Sequence, residues 1–154
     1  MKLSTRGDYA VRAVLELAEL PAGESLSLHE LADRAGVPGK YLEQIVMPLR
    51  GAGILGARRG SHGGYVLARP AADLTVGEVV RVMDGPLAPI ACASRTAYRA
   101  CPPSRCVDEA NCVLRGLWTE VRDAVAEIMD HTTFADLAER AHEERGLRRL
   151  MYHI

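Results

Sequence analysis

Residues 27–51 read SLHELADRAGVPGKYLEQIVMPLRG, two short amphipathic helices with a glycine between them. Ser27-Leu28-His29-Glu30 has the spacing of a capping box. Leu28, Leu31, Ala32 and Ala35 form an apolar stripe, and Gly36 stands where the helix ends. Pro38 suits the first turn of a following helix, whose stripe is Tyr41, Leu42, Ile45, Val46 and Leu49 and whose end falls near Gly51 and Gly53. Pro48 inside that stripe predicts a distorted last turn. Short helices joined by Ala35-Gly36-Val37 are a helix-turn-helix arrangement, in which the second helix is free to enter a DNA major groove.

Both flanks extend this reading. Ile54 to Arg58 and Tyr65 to Ala68 are short strand-like runs around Gly60-Ser61-His62-Gly63-Gly64, which is the pattern of a β-hairpin wing with arginines at its base and edge. The glycines could instead cradle a nucleotide phosphate, but the GxGxxG turn and the Walker lysine are both missing. Upstream, Thr5-Arg6-Gly7-Asp8 opens a helix reaching Leu20, with Val11, Val14, Leu15 and Ala18 on one face and Pro21 and Gly23 stopping it. Downstream, Thr75 to Glu78 opens a helix that buries Val79, Val80 and Met83 and ends at Gly85-Pro86. The expected fold class is mainly α with a small β wing: a winged helix-turn-helix domain plus a long dimerisation helix.

The chain has 154 residues, 48% of them apolar, enough for one core and an appendage. Its apolar runs are too short to span a membrane and its first residues lack signal-peptide order, so a cytoplasmic protein is expected. Net charge is −1, which at first argues against nucleic acid. Distribution matters more than the total: no acid occurs between Glu43 and Asp73, a window holding Arg50, Arg58, Arg59, His62 and Arg69. A solvated face would account for the same charges.

From Pro86 to Asn111 the chain carries four prolines and three of its four cysteines, with few aliphatics, and reads as a long ordered loop. Asn111 is placed to cap a helix running to Asp130, in which Leu114, Leu117, Val121, Ala124 and Ile128 recur by three and four. Such a seam suits packing against a second copy. Thr133-Phe134-Ala135-Asp136 starts a short last helix, and Leu150-Met151-Tyr152-His153-Ile154 is apolar enough to dock. The division expected is 1–85 for DNA binding, 86–111 for a sensor loop and 112–154 for dimerisation.

Cys92, Cys101, Cys106 and Cys112 fall within 21 residues and none lies elsewhere. In a reducing compartment, metal binding or redox sensing accounts for such clustering better than disulfides do. Small buried hydrophobes are the plain alternative. The spacings x8, x4 and x5 contain no CxxC knuckle, which lowers zinc, whereas irregular longer spacings suit an iron-sulfur cluster. Cys112, at a helix N-terminus, is favoured as a thiolate.

MKLSTRGDYAVRAVLELA, KYLEQIVMPLR, RGSHGGYVLARP, LTVGEVVRVMDGP, DHTTFADL and MYHI together resemble, in order and over nearly the whole chain, the iron-sulfur-cluster regulator family of bacterial winged-helix transcription factors, typified by IscR, NsrR and CymR. The resemblance implies a homodimer on a palindromic operator in double-stranded DNA, with long helices crossing beside a cluster-binding loop. By position it implies base reading by Tyr41, Glu43 and Gln44, minor-groove entry by Arg59, and phosphate contacts from Lys40 and Arg58. It also implies an iron-sulfur cluster on cysteine thiolates, Cys106 and Cys112 with Cys92 or Cys101. Asp8 matches the carboxylate that the nitric-oxide sensor donates from its partner subunit, although in this sequence it also completes the first capping box.

There are departures from the family pattern. Cluster-binding members often show three cysteines at x5 and x5, of which only Cys106 to Cys112 remains here, and a fourth thiol is added. The cluster regulator's histidine after the last cysteine is Arg115, and Ser25 replaces the thiol of the cysteine-metabolism repressor. The leading expectation is a DNA-binding repressor sensing redox state, nitric oxide or iron-sulfur status. The alternatives are a zinc or thiol/disulfide switch on the same fold, or a redox or metal-binding protein acting through a protein partner. No Ser-His-Asp, paired-carboxylate or activated-water constellation supports an enzyme.

Overall fold

Capping decides where the helices of the 27–51 stretch begin and end. The computed structural model describes residues 3–60, 63–102, 104–106 and 108–151, with side chains to 147 in the last helix. Ser27 Oγ accepts from the Glu30 N–H at 3.3 Å while Glu30 Oε2 accepts from the Ser27 N–H at 2.8 Å, starting α2 (Leu28–Ala35). Gly36 closes it at φ +65°, a left-handed conformation open to glycine without strain. Pro38 is the N-cap of α3 (Gly39–Gly51) rather than a first-turn residue; its backbone is extended and its carbonyl accepts from Tyr41 and Leu42. The helix continues through Pro48 and leaves by a tightened turn in which the Gly53 N–H donates to Arg50 O at 3.0 Å.

The first helix, α1 (Thr5–Ala18), corrects two expectations. Its cap is Ser4, whose Oγ accepts from the Gly7 N–H at 3.0 Å, so Thr5 and Asp8 form no capping box. Asp84 fixes Ser4 there, accepting from its N–H at 2.8 Å and from its hydroxyl. Asp8 instead faces outward and pairs with Arg12 at 3.0 Å. The helix also ends at Ala18, before Leu20.

The wing is β1 (Leu55–Arg58) antiparallel to β2 (Gly64–Leu67), with Leu55 opposite Leu67 and Arg58 opposite Gly64. Leu26 and Tyr65 exchange backbone hydrogen bonds of 3.2 and 2.7 Å, tying the wing to the segment before α2. A short 3-10 turn (Ala71–Asp73) leads to α4 (Val76–Asp84), capped by Thr75. Val79 and Val80 are buried there, but Met83 is only half-buried, at the margin of the core. The core joins Val14 and Leu17 of α1, Leu31 of α2 and Leu42, Ile45 and Leu49 of α3 to Ile54, Leu74 and Val79.

The long helix is α5 (Val113–His131) and its N-cap is Cys112, not Asn111. Asp108 makes the local turn instead, accepting from the backbone of Ala110 and Asn111 and from the Asn111 side chain at 2.7 Å, which draws Asn111 out of the cap. The last helix, α6 (Phe134–Met151), has 18 residues and is not short. Its start is set by Thr133 and Asp136, which cap each other's backbone N–H groups at 3.1 and 2.9 Å, and Arg145 extends its hold by pairing with Glu19. The expected docking of the tail concerns side chains outside the described ones, and His62 likewise lies outside the described residues. No helix among the described residues is long and apolar enough to cross a membrane.

Backbone bonds and a further ion pair also hold these last helices on the winged unit. The Val76 N–H donates to Thr132 O at 3.0 Å and the Phe134 N–H to Leu74 O at 2.9 Å, placing the Phe134 ring, with no exposed surface, in the core. Arg81 of α4 forks onto Asp130 of α5 at 2.5 and 2.8 Å. This pair lies over Gly77, where even a methyl group would collide with Asp130.

Arg81, as hydrogen-bond donor, holds the Asp130 carboxyl below its ordinary range. A depressed carboxylate pKa stabilises the fold above the unfolded value and loses that contribution as pH falls through the folded one. Asp130→Asn should therefore cost about 0.5–1 kcal/mol at neutral pH, discounted for an ion pair more than one-third exposed. The gap to the parent should narrow below about pH 4. Urea unfolding at pH 7 and pH 3 measures both, and a gap independent of pH would assign the loss to packing alone.

Candidate functional site

α3 divides cleanly by burial. Leu42, Ile45, Val46 and Leu49 face the core, while Lys40, Tyr41, Glu43, Gln44, Met47 and Arg50 are exposed. No acid lies in its first turn and no side chain caps it, so its first N–H groups and dipole face outward toward any anion. Tyr41 meets Tyr9 of α1 edge-to-face, with ring centroids 6.0 Å apart, which fixes the direction of its hydroxyl.

The basic window divides on folding. Arg69 is spent internally, donating to Gly53 O and Asp73 O at 3.3 Å and pairing with Glu78. Arg58 donates to the Gly23 carbonyl, which braces the wing against the turn after α1. Arg59, Lys40 and Arg50 make no ion pair among the described residues. Arg59 stands beside the hairpin tip, where Gly60 adopts φ +117° and the Gly63 N–H donates to Gly60 O at 2.9 Å. The structure thus brings Lys40, Tyr41, Glu43 and Gln44 to one exposed helix face and leaves Arg59 on the wing.

The second constellation is the cysteine loop. Cys92 is buried in a 3-10 turn (Ala91–Ala93), whereas Cys101, Cys106 and Cys112 are half-buried, and all four are free thiols. The Cys106 and Cys112 thiols lie near enough to shift each other's pKa, and the charge of Cys101 acts on Cys106. Backbone N–H groups of Arg115, then the Cys106 thiol and the N–H of Leu114, lower the Cys112 pKa. Partial burial, then the hydrogen bond to Cys112 and the charges of Cys112 and Cys101, push Cys106 up to about 11. Cys112 is therefore the more acidic thiol of the pair and Cys106 the less acidic. Among the described residues no three of His, Cys, Asp and Glu gather closely enough to hold one ion, and Asp8 remains on α1 with Arg12.

Glu109 is the centre of the loop, and reading the sequence did not find it. Its carboxylate accepts from the Tyr98 hydroxyl at 2.8 Å and the Cys101 N–H at 3.1 Å, and lies 3.6 Å from Arg115. Arg115 in turn donates to Cys92 O at 3.1 Å, and Arg122 to Ala93 O. These bonds join the segments of Cys92, Cys101 and Cys112 to α5. No periodicity could have revealed them, because loop partners such as Tyr98 and Glu109 obey no helical or strand spacing.

The comparisons agree with this geometry. Residues 3–140 match the Rrf2 family, described as an iron-dependent transcriptional regulator. An rrf2-like HTH-type transcriptional regulator of Rhodobacter capsulatus is 40% identical over 84% of this chain and 87% of its own length. The regulator CymR of Bacillus subtilis is 36% identical, covering 90% of each chain. Among solved structures, that of CymR, described as the global cysteine regulator of B. subtilis, superposes with a TM-score of 0.72 at 36% identity over 91% of this chain and 98% of that one. IscR of T. potens gives a TM-score of 0.74 at 32% identity over 94% and 90%. A winged helix with an exposed, acid-free helix N-terminus and a wing arginine, matched along its length to these regulators, belongs to the Rrf2 family of DNA-binding transcriptional regulators.

Proposed function

We propose that this regulator is a homodimeric repressor that binds a palindromic operator through α3 and the wing and senses redox, nitric oxide or iron-sulfur status through an iron-sulfur cluster held by cysteines between Cys92 and Cys112. The observation that carries the reading is where the thiols gather. Cys106 and Cys112 influence each other at the start of α5, a helix with no buried residue, and the charge of Cys101 reaches Cys106. Its seam leaves Val113 83%, Leu114 60% and Ile128 69% exposed, an apolar surface that a second copy would cover. In this division residues 1–85 bind DNA, 86–111 sense and 112–154 dimerise.

The donor set fits a thiophilic group in its chemistry, since the Cys112 thiol has its pKa lowered, Cys106 lies beside it and Cys101 acts on Cys106. Cys106 and Cys112 would hold the cluster with Cys101 or Cys92, and Asp8 would be drawn on only if three thiols serve. When bound, the cluster supplies a redox centre open to oxidants and nitric oxide. The protein's own part is mechanical. Cys112 caps α5, Arg115 and Arg122 fasten the Cys92 turn to the same helix, and Arg81–Asp130 passes its position to α4. A change at the thiols would thus shift α5 against the winged unit, a coupling between two sites. The mutual influence of the Cys106 and Cys112 thiols favours a second reading, a thiol/disulfide switch without metal.

On DNA, Tyr41, Glu43 and Gln44 read base edges in the major groove, Arg59 enters the minor groove, and Lys40 and Arg58 contact the phosphates, with half-sites roughly 34 Å apart or a multiple. Arg59→Ala should weaken operator binding, and Glu43→Ala should change which bases are tolerated. Log affinity should fall linearly with log salt, read by fluorescence anisotropy; a flat response would reduce the basic face to solvated surface.

Leu117→Glu should yield a folded monomer in sedimentation, because this side chain is 49% exposed in the single chain and carries no core packing. A persistent dimer would place the interface elsewhere.

Iron and sulfide analysis of protein prepared without oxygen separates the sensing readings. Iron with sulfide in the parent and their loss in Cys106→Ala and Cys112→Ala are expected. Stoichiometric zinc without sulfide, or full iron in Cys112→Ala, would leave the zinc or thiol switch.

A further inference from the structure

Met47 stands out on the exposed face of α3, 68% exposed and contributing nothing to the core. It follows Glu43 and Gln44 by four and three residues and Lys40 by seven, so all four project from one side of the helix. Among the described residues it is the one large aliphatic side chain that α3 exposes, since the other exposed apolar group, Tyr41, leans on Tyr9. With Arg50, Gly51, Leu55, Gly56 and Ala57 it lines a shallow groove between α3 and β1. The cations on either side of it along the helix, Lys40 and Arg50, make no ion pair among the described residues. An apolar end flanked by free cations and by an amide and a carboxylate matches the floor of a major groove. There the single apolar feature of a base edge is the C5-methyl of thymine.

Resting on the reading that α3 enters the major groove, the geometry points to Met47 as a specificity determinant that selects thymine at one position of each half-site by packing on its methyl group. Lys40 and Arg50 set the height of the helix over the phosphates. Met47 converts that height into a choice of base.

The probe is a duplex that the protein itself recovers from a randomised pool, with each thymine then replaced singly by deoxyuridine, which removes the methyl group and preserves pairing. The parent should lose roughly fourfold in affinity at one position per half-site, as expected for one buried methyl. Met47→Ala should bind the thymine duplex that much more weakly and be indifferent to the replacement, while Met47→Leu should keep the preference. Equal binding of thymine and deoxyuridine duplexes by the parent at every position would overturn the assignment. So would a full thymine preference in Met47→Ala. If the parent recovers no preferred duplex at all, reading by α3 itself fails and the Met47 role falls with it; sequence-selective binding without methyl discrimination removes the Met47 role alone.

Discussion

The placement of one ring organises the molecule. Phe134 is the chain's single phenylalanine and has no exposed surface, yet it comes from beyond the long helix and fills the core of a unit completed some fifty residues earlier. Backbone bonds from residues 74 and 76 to residues 134 and 132 hold it there. Because α5 ends where that ring is anchored, the helix cannot drift from the winged unit. Arg81 and Asp130 add a second point of attachment across α4. Two points fix a direction, and so a displacement at the N-terminus of α5 has somewhere to go.

The exposed face of α3 is a by-product of the same packing. Leu42, Ile45, Val46 and Leu49 must be buried, and a helix so anchored presents Lys40, Glu43, Gln44 and Met47 on the other side with no further instruction. The wing is braced rather than free. Leu26 pairs with Tyr65, and Arg58 reaches the turn after α1, so Arg59 is carried on a fixed support.

At the other end, charge is arranged around sulfur. The N–H groups at the start of α5 lower the Cys112 pKa, while partial burial and then the neighbouring Cys112 raise that of Cys106. Glu109, itself depressed by the Tyr98 hydroxyl and the Cys101 N–H, keeps Arg115 turned toward Cys92. Each group is set by its neighbour, and the loop is ordered by polar bonds where aliphatic residues are few.

Local chemistry made the helices and the wing readable from the residues alone. The Ser27–Glu30 box, Gly36 and the stripe from Leu42 to Leu49 act over three or four residues, so the helix-turn-helix and its exposed face follow from spacing. The errors came where a polar partner intervened that hydrophobic spacing does not encode. Asp84 moved the first cap from Thr5 to Ser4, Asp108 moved the cap of α5 from Asn111 to Cys112, and contacts to α1 accompanied a last helix longer than its start suggested. Of the basic window, only the fold shows that Arg69 is occupied and that Arg59 has no ion pair among the described residues. The four cysteines were visible as a cluster, but which of them meet depends on Glu109, Tyr98 and Arg115, whose bonds cross a loop with no period. Sequence by itself determined the elements and their faces, because hydrophobic periodicity and capping are short-range. Tertiary structure alone decided which charges and thiols are left available, because pairing in space takes no account of separation along the chain.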